Sequence, residues 1–217
     1  REAERAARKA AHDDKFGTTN KKERPLRVVL SEIPGFLDNL PTPGRSLGYT
    51  KDSCVNRVVG HTFLNTLPPN THLSYQRRGG VVQMTNAFIL FVNFGGKPGY
   101  GRYENEFTEG GRFLNFSITP EKRGPRGRSE LDLYNHIAGS NKALSASVNG
   151  DGNDGDATPK KEILLFARAS TKSKFVYCGR CKCAEMNGSD PGVRLGSVEL
   201  TLELLDVEQL VGDDAKS

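Results

Sequence analysis

The chain has 217 residues, 31 basic and 26 acidic, for a net charge of +5. That length suits one domain with a substantial core, and no apolar run approaches the roughly 20 residues that span a bilayer. Four cysteines in so long a chain argue against a disulfide-built scaffold and for a reduced, intracellular setting, nuclear if the organism is eukaryotic. The charged start from Arg1 onward lacks the apolar stretch of a secretory signal, and the absence of an initial Met fits a piece of something larger.

In chain order, residues 1–24 favour helix by their Ala, Glu and Arg content but carry no apolar stripe, which predicts a solvated helix and linker outside the core. Residues 26–30 predict a short strand. The Pro/Gly-rich passage 33–48 predicts loop. Asp52 or Ser53 caps a predicted helix in which Val55, Val58, Val59, Phe63 and Leu64 recur at helical spacing, with Gly60 weakening it and Pro68-Pro69 ending it. Strands follow at 80–83 and 87–94, the second so continuously apolar that it reads as a central strand buried on both faces. Residues 112–117 alternate as a strand, and Ser129 with Asp132 opens a short helix carrying Leu133, Tyr134 and Ile137.

Residues 139–160, rich in Gly, Asn, Asp and Ser, predict a mobile insertion. A hairpin over 163–183 and an alternating strand over 196–205 complete the domain, which runs from 25 to 210 before an acidic tail at 211–217. About six strands and a few short helices predict an α+β fold with a curved, barrel-like mixed sheet.

Charge is segregated. Residues 163–184 hold no Asp or Glu, whereas Glu199, Glu203, Asp206, Glu208, Asp213 and Asp214 crowd a C-terminal stretch with no Lys or Arg between Arg194 and Lys216. Such segregation makes local fields that a net count hides. The hairpin displays Arg168, Lys172, Lys174, Arg180 and Lys182, cations in search of an anionic partner. A second basic segment, residues 119–128, sets Lys122, Arg123, Arg126 and Arg128 among Gly and Pro, where backbone and guanidiniums can lie against phosphates. The plain alternative is a solvated turn.

An aromatic cluster, Tyr100, Tyr103 and Asn105 with Phe113, Phe116 and Tyr177, holds the ring faces and amide that an unstacked base requires. Aromatics of this kind also fill sheet cores. Cys178, Cys181 and Cys183, with Cys54 far upstream, suit zinc badly, because strand alternation puts Cys178 opposite the other two; small buried thiols are expected. His12, His61, His72 and His136 are scattered, and no nucleophile elbow, Walker loop or zincin motif occurs, so neither an enzyme nor a cofactor is expected.

The order of motifs resembles the C-terminal domain of unknown function of bacterial helicase/phospholipase-D-like nuclease restriction proteins. The matching pieces are Tyr49-Thr50, Arg78-Gly79-Gly80-Val81, Phe91-Val92-Asn93-Phe94 and Tyr100 through Asn105. Phe116-Ser117, Leu165-Phe166-Ala167-Arg168 and Phe175-Val176-Tyr177-Cys178-Gly179 continue the series, which covers residues 47–205. The family has Gln where this chain has Ile118, and lacks the insertion 139–160. The resemblance implies an SRA/PUA-like fold and a non-catalytic reader of methylated or hydroxymethylated cytosine, acting by base flipping, with fused or associated nuclease or helicase modules and no membrane.

On that reading Arg77, Arg78, Arg102, Lys122, Arg123, Arg126, Arg128, Arg168, Lys172, Lys174 and Arg180 bind nucleic acid. Tyr100, Tyr103, Asn105, Phe116, Ser117 and Tyr177 line the base pocket. The rivals are an RNA-binding PUA-like module, a protein-interaction module whose acidic C-terminus meets a basic partner, and a small enzyme using His136 or Cys178.

Overall fold

The computed structural model describes residues 25–77, 79–94, 105–120, 124–148, 161–188 and 197–210, with backbone alone at 125–126 and 141–148. The predicted N-terminal helix, the acidic tail and residues 149–160 of the predicted insertion lie outside the described residues.

Strand β1 (Arg27–Val29) leads through two 3-10 turns to β2 (Ser46–Gly48), α1 (Lys51–Val59) and α2 (His61–Thr66). Then come β3 (His72–Ser74), β4 (Val81–Gln83), β5 (Ala87–Asn93), β6 (Glu106–Thr108) and β7 (Phe113–Ile118). Helix α3 (Pro125–Val148) precedes β8 (Glu162–Arg168), β9 (Phe175–Asn187), β10 (Val198–Leu204) and the single turn α4 (Val207–Leu210). An eight-stranded sheet runs β4-β5-β8-β9-β10-β7-β6, with β2 added to β9, while β1 and β3 form a separate parallel pair. Within the large sheet β5 and β8 are parallel and the other pairs antiparallel, so the sheet is mixed.

The sheet curls. A Cβ placed on Gly80, just ahead of β4 at one edge, would lie 3.5 Å from the Phe116 ring on β7 near the other. Phe94, just beyond β5, stacks on Phe107 of β6 with ring centroids 4.7 Å apart. The α+β fold with a barrel-like mixed sheet and few helices is thus the one expected from the pattern of elements. One apolar cluster spans the curl, joining Val81, Leu90, Phe116, Leu165 and Leu202 to Leu133, Tyr134 and Ile137 of α3. The other lies on the opposite face, where Cys54, Val55, Val58 and Val59 of α1 pack on Ile89, Phe91, Phe166, Phe175 and Tyr177. Strand β5 feeds both clusters, which is why AFILFV is apolar without alternation. Each fully buried Leu or Phe contributes about 1.5–3 kcal/mol.

Helix α1 is capped by Thr50, whose Oγ1 accepts the Ser53 N–H at 3.3 Å, two or three residues before the caps expected at Asp52 or Ser53. It does not continue to Leu64. Gly60, at φ 87°, ends α1 and starts α2 in a new direction, so the single helix expected there is two.

Helix α3 starts at Pro125, earlier than expected, and runs through Val148, into the stretch expected to be mobile. Pro is well placed in a first helical turn because the missing N–H has no partner there anyway. Beyond Ile137 the polar sequence still contains Ala, Leu and Lys, good helix formers, so polarity there does not imply an irregular backbone.

The loop 33–48 is pinned to the sheet. Asn86 accepts the Gly35 N–H at 2.7 Å and donates to the Gly35 carbonyl at 2.9 Å, a side-chain copy of a strand pair. β2 at its end pairs with β9. Among the described residues no helix is long and apolar enough to cross a membrane.

Candidate nucleic-acid interface

The β8–β9 hairpin is closed by a tight turn in which Ser170 and Ser173 hydroxyls sit 3.0 Å apart and Ser170 Oγ accepts the Lys172 N–H at 3.3 Å. Lys172 and Lys174 project from this turn into solvent. Arg168, at the end of β8, does not project. It donates to Asn93 Oδ1 on the neighbouring strand, to the Tyr49 carbonyl at 3.1 Å and to the Thr171 carbonyl at 3.4 Å, and lies 4.3 Å from the Phe175 ring centre. Burial lowers its pKa from the usual arginine value, yet the group is far too basic to lose its charge near neutrality.

Beside it Tyr49 is exposed, with the Lys174 ammonium 5.5 Å from its ring centre. Lys51, in the first turn of α1, bonds the Gly79 carbonyl and sits 5.1 Å from the Phe91 ring. Arg168, Lys172, Lys174 and Lys51 therefore share one end of the sheet. At this same end the Phe94 N–H donates to the Arg168 carbonyl at 3.1 Å.

The far half of the hairpin is different. Arg180 is held by Asp206 through its guanidinium at 2.9 and 3.1 Å and its backbone N–H at 2.8 Å. That same bonding holds the Asp206 carboxyl below the ordinary range, against the opposing pull of burial. Lys182 pairs with Glu203 at 2.8 Å, and Glu203 also takes Arg112 at 2.7 Å. The acid-free hairpin and the acid-rich C-terminus are thus each other's partners over half of the hairpin's length.

A cleft of about 640 Å³ lies between the β1–β3 pair, β4 and the start of α3. Arg128 lines it with Tyr75, Gln83 and Asp132. Arg77 stands beside Tyr75, its guanidinium 4.8 Å from that ring and 3.1 Å from Asp52, which also accepts the Tyr75 hydroxyl at 2.6 Å. Burial and this hydrogen bond both push the Tyr75 pKa up.

The aromatic residues expected in one base pocket separate. Phe116 is 5% exposed in the cluster spanning the curl, and Tyr177 is 2% exposed in the cluster on the opposite face, 5.1 Å from Phe166. Tyr177 reaches the edge of a cleft of about 440 Å³ that Arg180 and Asp206 also line. Ser117 is half-buried on the other side of β7 from Phe116. The Asn105 amide oxygen is buried without a partner among the described residues. Arg78, Tyr100, Arg102, Tyr103, Lys122 and Arg123 lie outside the described residues, as does the Arg126 side chain.

The cysteine reading needs one correction. Between Leu165 and Phe166 the register slips, so that Leu165 faces Gly179 and Phe166 faces Tyr177, leaving Cys178 as an extra residue. This bulge reverses the alternation and puts Cys178 with Cys181 in one cluster, Cys183 packed against it. Burial pushes the Cys178 and Cys183 thiols up to about 11 and Cys54 up to about 12, so all three stay protonated near neutrality. Tyr49, beside the Lys174 ammonium, and Lys51, beside the Phe91 ring, are not among the site residues expected from sequence. The signal was an aromatic residue between a Pro/Gly-rich loop and a helix cap, where a buried role is hard to satisfy.

No protein-family model matches the sequence, and no curated protein does. Among solved structures the chain is similar to the DNA modification-dependent restriction endonuclease AspBHI, with 13% identity and a TM-score of 0.47 over 81% of each chain. It is also similar to the MspJI restriction endonuclease in complex with a 27-mer oligonucleotide, with 15% identity and a TM-score of 0.43. That likeness covers 76% of this chain and 42% of the other.

Proposed function

We propose that the chain is a non-catalytic DNA-binding domain that reads a modified cytosine, methylated or hydroxymethylated, flipped from the duplex into an aromatic pocket. One observation carries the DNA-binding part: among the described residues no carboxylate pairs with Arg168, Lys172 or Lys174, while Arg180 and Lys182 on the same hairpin are each neutralised. Had the basic hairpin been only an internal electrostatic partner for the C-terminus, its turn would need no cations. Exposed lysines on a rigid turn suit phosphates, which supply salt-dependent affinity without reading sequence. The pocket would include Tyr100, Tyr103 and Asn105; the Asn105 amide oxygen, buried without a partner among the described residues, supports a polar group there that can accept from a base. Nuclease or helicase modules, fused or associated, would supply the chemistry.

The test is a binding titration at several salt concentrations. Matched duplexes carry cytosine, 5-methylcytosine or 5-hydroxymethylcytosine at one position, alongside the corresponding single strands. Tighter binding to one modified duplex, with affinity falling as salt rises, is the expected result. Equal affinity for every duplex would leave generic DNA binding and remove the reader. No retention on any of them, even at low salt, would remove both.

A further inference from the structure

We infer that Tyr49 is a stacking platform for an unpaired DNA base, with the phosphates on either side of that base held by Lys172 and Lys174. This rests on the DNA-binding reading above and adds to it a residue and a class of contact. Tyr49 is 58% exposed, in a chain that buries Tyr134 and Tyr177 to 7% and 2%. An exposed aromatic ring on a loose loop would mean little. Here the backbone is fixed on both sides of it. Gly48 before it pairs with Phe175 in the sheet, and Thr50 after it caps α1 through its Oγ1. Its own carbonyl accepts from Arg168.

That Arg168 contact also sets the ring beside the cations. One nitrogen, Nη1, donates both to Tyr49 and to Thr171, so the loop and the hairpin turn lie within the reach of a single guanidinium. Lys172 follows Thr171 directly, and Lys174 sits 5.5 Å from the Tyr49 ring centre. The result is a pre-positioned aromatic ring with one ammonium, that of Lys174, over it and a second, that of Lys172, carried on the same turn. Aromatic rings set among cations are what bind single-stranded or extrahelical bases without regard to their identity. Because the ring is already ordered, little conformational freedom is lost on stacking. A protein partner would more naturally ask for an apolar neighbour over the ring, and the neighbour here is the Lys174 ammonium.

The chain contains no Trp, which makes the inference directly readable. Tyr49→Trp introduces a single indole at the platform, whose emission should fall saturably as an unlabelled single-stranded oligonucleotide is added. Tyr49→Ala should weaken single-strand binding about 5- to 100-fold, the range typical of one base–aromatic stack, and Tyr49→Phe should restore it. Circular dichroism melting of each variant checks that the fold is intact. If wild type binds DNA with the expected salt dependence but Tyr49→Ala binds equally well and the Tyr49→Trp emission does not change, the platform is wrong and the DNA-binding reading stands. If wild type binds no oligonucleotide at low salt, the DNA-binding reading falls and the platform falls with it.

Discussion

Gly179 sits at the bulge that re-aims β9, and two facts make it irreplaceable there. Its φ is 104°, a conformation L side chains rarely adopt, and an added Cβ would lie 2.8 Å from Asp206 Cβ. Gly179→Ala should therefore cost about 2–4 kcal/mol, from backbone strain and overpacking together, read as a lower urea midpoint. The neighbouring Asp206 yields a pH prediction. Arg180 hydrogen-bonds its carboxylate and depresses its pKa, so the folded state binds that proton less readily than the unfolded chain. The contribution is complete above the unfolded value of about 4 and disappears as pH falls through the lower folded value. Thermal melting from pH 6 downward should show wild type losing stability in that acid range and Asp206→Asn losing less of it. Parallel acid curves for the two would show that Asp206 is not the responsible group.

At the scale of elements, what could be read from sequence is what one local signal announces. Strand β5 was legible because a run of six apolar residues needs cover on both faces, β8 as an apolar run, β9 as the second strand beyond a polar basic turn, and β10 from apolar alternation. Strands β2, β3 and β6 were not, since each is three residues long with a single large apolar side chain. The extension of α3 was hidden because polarity was read as loop. The Cys178 face was misread because a bulge depends on the partner strand, which the local sequence does not show. The loop 33–48 was rightly read as irregular, but its anchor lies 51 residues away in Asn86. Asn86→Ala would leave the Gly35 N–H and carbonyl without those partners, at a cost of about 1–3 kcal/mol. Limited proteolysis should then cut within 33–48 faster than in wild type, with the melting temperature lowered. Unchanged cleavage would mean that β2 alone holds the loop.

Charge is the property that only the whole molecule explains. In sequence the hairpin cations formed one group, five in number, all equally in need of an anion. In the fold they divide, because pairing is decided by strands distant along the chain: Asp206 reaches Arg180 and Glu203 reaches Lys182, while Arg168 is tied to Asn93 and the Tyr49 carbonyl. Lys172 and Lys174 are exposed at the hairpin turn, with no carboxylate partner among the described residues. This division makes a prediction that composition could not. Binding of duplex DNA should weaken in proportion to the phosphates neutralised, with log K falling against log salt by about 0.9 per phosphate. Replacing both Lys172 and Lys174 by Ala should therefore reduce that slope by about 2. Lys182→Ala should leave it unchanged, since Glu203 already compensates that charge and Arg112 remains to hold Glu203. Fluorescence anisotropy at four or five salt concentrations measures both slopes. An equal loss from the two substitutions would mean that DNA meets the whole hairpin and displaces the Lys182–Glu203 pair. A slope unmoved by Lys172 and Lys174 would shift the phosphate track to the other basic surface, around Arg128 and the cleft it lines.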